Sequence, residues 1–317
     1  MSTERYFFAI FTRTLNDIMY RAPTELELTH HRPGKPAGRR TNPRRSRGRS
    51  AAAPVIMLIC AASLAGCSRQ KRNAGPRNGL EQVLRMKQTE AGHKLAYLLQ
   101  APAGEKPENG WPLLLFLHGY GECGENIEKV RKHGPPKLIG RFDQLAGCVV
   151  ISPQCPRDSW WRVDALKTLV EEVIEARDDI DRARLYVTGL SMGGYGIWSF
   201  ISHYPDFFAA AAPICGGGDP FRLPANRPPI KSGIENEFDP EGLKRAAGLP
   251  VWTFHGTRDG SVPIVETRML VSILQDAGSE KVRFTSYEGA GHVGAWERAY
   301  ENPATCTWLF SHQARAR

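Results

Sequence analysis

From residue 112 onward, two patterns of apolar residues alternate along the chain. One is the continuous apolar run: Pro112–Leu117 (PLLLFL), Cys148–Ser152 (CVVIS), Phe207–Cys215 (FFAAAAPIC) and Pro250–Gly256 (PVWTFHG). Such runs predict strands buried on both faces of a parallel sheet. The other has the helical period. Between Val163 and Ala176, the residues Val163, Leu166, Leu169, Val170, Val173 and Ile174 form one stripe, with Glu171, Glu172 and Glu175 off it. Helices are also expected over 192–203, 263–277 and 303–312, and further strands over 93–101, 184–190 and 281–287. Alternation of this kind predicts an α/β chain with a doubly wound, mostly parallel sheet flanked by helices. Residues 216–248 are rich in Gly and Pro and weakly periodic, which predicts a long loop serving as a lid or pocket wall. No internal repeat is visible.

One junction carries chemistry. Arg184–Gly194 reads RLYVTGLSMGG: a short apolar strand, a glycine-bounded turn holding Ser191, and the start of a helix. This is the G-x-S-x-G nucleophile elbow in the strand–turn–helix context it needs. A serine hydroxyl is a weak nucleophile at neutral pH and needs both exposure and a base. Gly189 and Gly193 let the backbone fold back tightly. The N–H of Met192, opening the helix, is a candidate oxyanion donor. A plain Gly-Ser turn is the alternative for the motif taken alone.

Two other strand ends add candidates. The run 112–117 empties into HGYGECGE, whose backbone offers a second oxyanion donor. The N–H of Tyr120 is assigned that role, with Gly119 as rival, and the His118 side chain is read as structural. After 250–256 comes Thr257-Arg258-Asp259-Gly260, and after 281–287 comes Gly289-Ala290-Gly291-His292. Ser191, Asp259 and His292 thus each stand just past a predicted strand, at the sheet edge where open α/β folds build sites. His292 would act as general base and Asp259 would hold its tautomer. His255 is a rival base, although it precedes Asp259 at a strand end. Trp160 and Trp161 would either line a substrate pocket or cap the core.

Composition alters the picture mainly at the start of the chain. The 317 residues are 41% hydrophobic and 24% charged, with a formal charge of +9. Residues 1–66 hold 11 of the 42 basic and 4 of the 33 acidic residues and so carry +7 of it. The near-neutral remainder argues against nucleic-acid binding. A basic run, Arg39–Arg49, precedes 16 uncharged residues, Ala51–Gly66, ending in Leu-Ala-Gly-Cys67. The run is short for a membrane span and fits a signal-peptide core. The ending resembles a bacterial lipoprotein signal, which implies cleavage before Cys67, lipidation there, and an envelope location at the outer membrane of a Gram-negative cell. An ordinary secretory signal or a short anchor is the alternative. The long stretch before it suggests a true start further downstream, such as Met57. Residues 67–80 read as a polar tether and 81–315 as the catalytic domain. Five cysteines remain in the body (Cys123, Cys148, Cys155, Cys215 and Cys306), an odd number with no C-x-x-C spacing, so zinc chemistry is not expected and any pairing stays open.

Together the stretches LFLHGYGECGEN, VVISPQCP, YVTGLSMGGYGIW, PICGGGDP, VWTFHGTRDGSVP and GAGH resemble the α/β-hydrolase superfamily. Within it they are similar to the bacterial "predicted peptidase" or esterase group, to feruloyl esterases, to polyhydroxybutyrate depolymerase-like proteins and to dienelactone hydrolases. The chain order Ser…Asp…His is that of the superfamily. The resemblance implies a triad of Ser191, Asp259 and His292, with Met192 and Tyr120 as the oxyanion hole and no metal or organic cofactor. Residues 221–242 depart from the group as an insertion. The expected activity is a serine carboxylesterase acting on short or aromatic acyl esters, free or linked to polysaccharide. A prolyl-oligopeptidase-type serine peptidase and a catalytically silent envelope-anchored binding module are the alternatives.

Overall fold

The structure, a computed structural model, describes residues 82–88, 94–219 and 238–314. Its centre is an eight-stranded sheet in the order β1-β2-β4-β3-β5-β6-β7-β8. The strands are β1 (Gln82–Gln88), β2 (Lys94–Gln100), β3 (Trp111–Leu117), β4 (Val149–Gln154), β5 (Ile180–Leu190), β6 (Ala210–Ile214), β7 (Val251–Gly256) and β8 (Val282–Tyr287). β1 and β2 pair antiparallel, as do β2 and β4. Every pairing from β4 through β8 is parallel.

All seven residues of β3 are buried, as expected of a strand covered on both sides. Alternate side chains serve two cores. Leu113, Leu115 and Leu117 join one with Val149, Ile151 and Val187. Leu114 and Phe116 join the other with Val150 and Tyr186. The first core is roofed by α3 (Val163–Glu175), α4 (Met192–His203), α5 (Pro240–Arg245) and α6 (Ile264–Asp276). The second is closed by α1 (Gly134–Leu138), α2 (Asp143–Ala146), α7 (His292–Glu301) and α8 (Pro303–Leu309). The result is a three-layer α/β/α sandwich, the doubly wound arrangement expected from the alternating pattern.

Several elements differ from the expectation, the short helices α1 and α2 among them. β1 was not anticipated, and its seven residues pair along their whole length with β2. α7 was not anticipated either, because its buried face uses Ala295 and Ala299 beside Trp296 and Tyr300, a weak apolar signal. The expected loop over 216–248 ends in structure: α5 and a 3-10 turn at Ala246–Gly248. A Cβ on Gly242 would lie 2.2 Å from the Ser202 carbonyl, so α5 packs directly on α4. Residues 220–237 of that stretch lie outside the described residues, as do Cys67 and the whole leader. Among the described residues, no helix is long and apolar enough to cross a membrane.

Candidate active site

The turn between β5 and α4 is forced by close approach. A Cβ on Gly189 would lie 2.6 Å from the Leu117 carbonyl oxygen, and one on Gly193 only 2.0 Å from that same atom. Neither position can hold a side chain without moving β3. Between them Ser191 adopts φ 53°, ψ −118°, a strained conformation for a residue with a side chain. Its N–H donates to Ile214 O at 2.9 Å, which ties the elbow to the end of β6.

The parallel strands bring three distant side chains to one edge. His292 Nε2 lies 2.8 Å from Ser191 Oγ, and His292 Nδ1 lies 2.6 Å from Asp259 Oδ2. A carboxylate only accepts, so Nδ1 carries the proton and Nε2 is free to accept from the serine hydroxyl. The other carboxylate oxygen of Asp259 accepts from the N–H of Ser261 at 2.8 Å and of Val262 at 2.9 Å. Its side chain has no solvent exposure. Burial pulls the Asp259 pKa upward, but hydrogen bonds from His255, His292 and the Val262 N–H outweigh it and hold the carboxyl well below the usual range.

His255, the rival base, occupies a different place. Its Nε2 faces Asp259 Oδ2 at 3.2 Å and Val262 O at 2.9 Å, and its Nδ1 faces Thr267 Oγ1 at 2.8 Å. It is a fully buried second imidazole on the carboxylate, and the contact to Ser191 Oγ belongs to His292.

The oxyanion-side loop is held by His118, which the sequence reading took as structural, and by Glu122, which it passed over. His118 is fully buried. Its Nδ1–H donates to Gly119 O at 2.6 Å, and its Nε2 accepts from the Cys155 N–H at 3.0 Å. Burial lowers its pKa to about 4, against a smaller upward pull from Gly119. The Glu122 carboxylate, also buried, takes the N–H of Gly119, and burial raises its pKa against the pull of Lys132 and that N–H. The N–H of Gly119 is thus occupied. Tyr120 opens a 3-10 turn and Met192 opens α4. The N–H of a first helical residue has no acceptor within its own helix. Glu122 could have been flagged as an acid inside a glycine-rich loop; nothing in the sequence indicated its partner.

Both tryptophans line one cleft, whose walls include none of the triad residues, and Trp161 also caps the core. Trp161 is buried against Gly196, stands edge-on to the His118 ring at 4.8 Å, and donates to His118 O at 3.2 Å, so it caps the core. Trp160 is half-buried and lines the same cleft. Trp296 of α7 packs edge-on to the His292 ring at 5.1 Å. The three large apolar side chains most exposed among the described residues, Tyr120 (53%), Val293 (50%) and Val265 (47%), follow β3, β8 and β7 in turn, on the edge that carries the triad.

Cys215 Sγ, the Asp259 carboxylate and a His292 ring nitrogen lie within 4.8 Å of one another, a spacing a metal could bridge. Burial raises the Cys215 thiol well above its usual pKa, and both Asp259 oxygens are already engaged by N–H donors. The group fits a hydrogen-bonded acid–base pair beside a protonated thiol better than an open metal site.

Fold and site geometry together define the α/β-hydrolase fold. No protein-family model matches the chain. It is 31% identical to a thermostable esterase of known structure, with a TM-score of 0.61 over 73% of this chain and 63% of that one. Over 202 residues it is 32% identical to an uncharacterized secreted protein of Arthroderma benhamiae, covering 57% of this chain but 21% of that protein. A stretch of 53 residues is 45% identical to poly(3-hydroxyalkanoate) depolymerase C of Paucimonas lemoignei, 17% of this chain and 13% of the depolymerase. The chain thus spans only a small part of each of these two curated relatives.

Proposed function

We propose that the chain is a serine hydrolase of carboxylic esters, working through an acyl-enzyme on Ser191. The observation that carries this reading is the unbroken relay Ser191 Oγ–His292–Asp259, with contacts of 2.8 Å and 2.6 Å. Ser191 Oγ attacks the ester carbonyl carbon while its proton passes to His292 Nε2. Asp259 stabilises the imidazolium that forms. The negative charge on the substrate oxygen is met by the N–H groups of Met192 and Tyr120. His292 then protonates the departing alcohol. Water, deprotonated by His292, attacks the acyl carbon and releases Ser191.

The exposed apolar side chains of Tyr120, in the oxyanion-side loop, and Val293, next to His292, suit short-chain or aromatic acyl groups, free or displayed on a polymer. The names of the esterase and depolymerase relatives point the same way. Export with a lipid anchor at Cys67 is the reading that the basic run, the 16-residue apolar core and Leu-Ala-Gly-Cys support. The secreted relative agrees with export.

The test compares wild type with Ser191→Ala on p-nitrophenyl acetate and butyrate, methyl ferulate, acetylated xylan and a proline-containing peptide anilide. Ester turnover that disappears in the variant is expected. Anilide turnover exceeding ester turnover would replace the esterase with a peptidase. A folded protein inactive on every substrate would favour a binding module.

A further inference from the structure

Five body cysteines are free thiols in this structure, and two of them meet. Cys123 ends the 3-10 turn that begins at Tyr120, its N–H donating to Tyr120 O at 3.2 Å. Cys155 follows the last residue of β4. The Gly124 N–H donates to Cys155 O at 3.0 Å, so the two backbones run side by side here. The two thiols interact within one core cluster, and Cys123 Sγ also lies 3.9 Å from Met192 Sδ. The remaining cysteines are engaged elsewhere. Cys148 Sγ faces Pro112 O and Val149 O, Cys215 lies beside Asp259, and Cys306 packs in the core on the opposite sheet face.

We propose that Cys123 and Cys155 form a disulfide that pins the Tyr120 loop to the end of β4. The backbone bond at the neighbouring Gly124 and the shared core cluster bring the two cysteines together, and a disulfide needs their Cβ atoms about 3.5–4.5 Å apart. An oxidising compartment supplies the electron acceptor, a low-molecular-weight disulfide or an oxidised dithiol protein. With oxidised glutathione, one cysteine thiolate attacks a glutathione sulfur. The glutathione S–S bond breaks, a mixed disulfide forms, and one glutathione leaves as thiolate. The second cysteine thiolate then attacks the first cysteine's sulfur and expels the other glutathione. Two protein thiols lose two protons and two electrons, and one glutathione disulfide becomes two thiols. The interaction with Cys123 and burial both hold the Cys155 thiol protonated in the folded chain, so the bond forms during folding.

The full chain is unfolded and refolded in a reduced/oxidised glutathione couple, and in parallel in dithiothreitol. Free thiols are alkylated under denaturing conditions and each cysteine is read by peptide mass mapping. The expected result is a Cys123–Cys155 cross-linked peptide from the glutathione sample alone, with Cys148, Cys215 and Cys306 alkylated. Closing a ring of this size should raise Tm by about 5–10 °C over the reduced sample. That difference should vanish in Cys123→Ser and in Cys155→Ser. Alkylation of both cysteines after oxidative refolding, or pairing of either with another cysteine, would overturn the proposal. The map reads no activity, so it stands or falls apart from the esterase reading.

Discussion

Replacing Tyr120 with proline deletes one backbone N–H and little else. Gly119 has φ −81° and ψ 175°, the extended conformation that a residue before proline adopts. Tyr120 is the first residue of its turn, where the fixed φ of proline fits and its missing N–H breaks no internal bond. Its carbonyl still accepts from Cys123, and the lost ring was half in solvent. If that N–H meets the developing oxyanion, its loss should lower kcat by about 10²–10³, or about 3–4 kcal/mol, with KM changed little. Tm should move by no more than about 2 °C. Tyr120→Ala keeps the N–H and serves as the control. Steady-state hydrolysis of p-nitrophenyl butyrate separates kcat from KM, and a thermal melt reports the fold. A kcat for the proline variant within threefold of the alanine variant, in a protein that melts normally, would refute Tyr120 as an oxyanion donor. The Gly119 N–H, held by Glu122, would then need re-examination as the donor.

Asp259→Asn should lower kcat by about 10⁴. The amide oxygen can keep the Ser261 and Val262 N–H bonds only by turning its NH₂ toward His292 Nδ1, which forces the proton onto Nε2 and removes the base; kcat within tenfold of wild type would refute this arrangement. Acid should destabilise the fold through His118. Its pKa falls from 6.5 in the unfolded chain to about 4 when buried, so unfolding takes up a proton between those values. The contribution is complete above pH 6.5 and is lost as pH drops to about 4, about 3 kcal/mol in all. Urea midpoints at pH 7, 5.5 and 4 should show a steeper fall for wild type than for His118→Asn, and equal slopes would remove His118 as the source.

How much of this was legible depended on how local the cause was. The elbow could be read because two glycines flank a serine at fixed spacing, and each is needed against the same atom, Leu117 O. β3 and β4 could be read because strands covered on both faces are dominated by apolar residues, as in LLLFL and VVI. α7 was missed because alanines bury a helix face without marking it. Trp160 and Trp161 are identical in sequence terms but differ in burial, since Trp161 packs under α4 and Trp160 stays half-buried at the cleft both line.

The chain's own residues determined the α/β class, the order of its strands and helices, and the three side chains worth suspecting, because period and turn chemistry are short-range. Tertiary structure alone decided that those side chains touch. Ser191 and His292 are 101 residues apart, and Asp259 and His292 are 33 apart. They meet because β5, β7 and β8 run parallel in one sheet and end at one edge. The same packing decided which histidine reaches the serine, which loop N–H Glu122 claims, and which two of five cysteines face each other. Each of these depends on distances across the sheet, and nothing in the local pattern of residues encodes them.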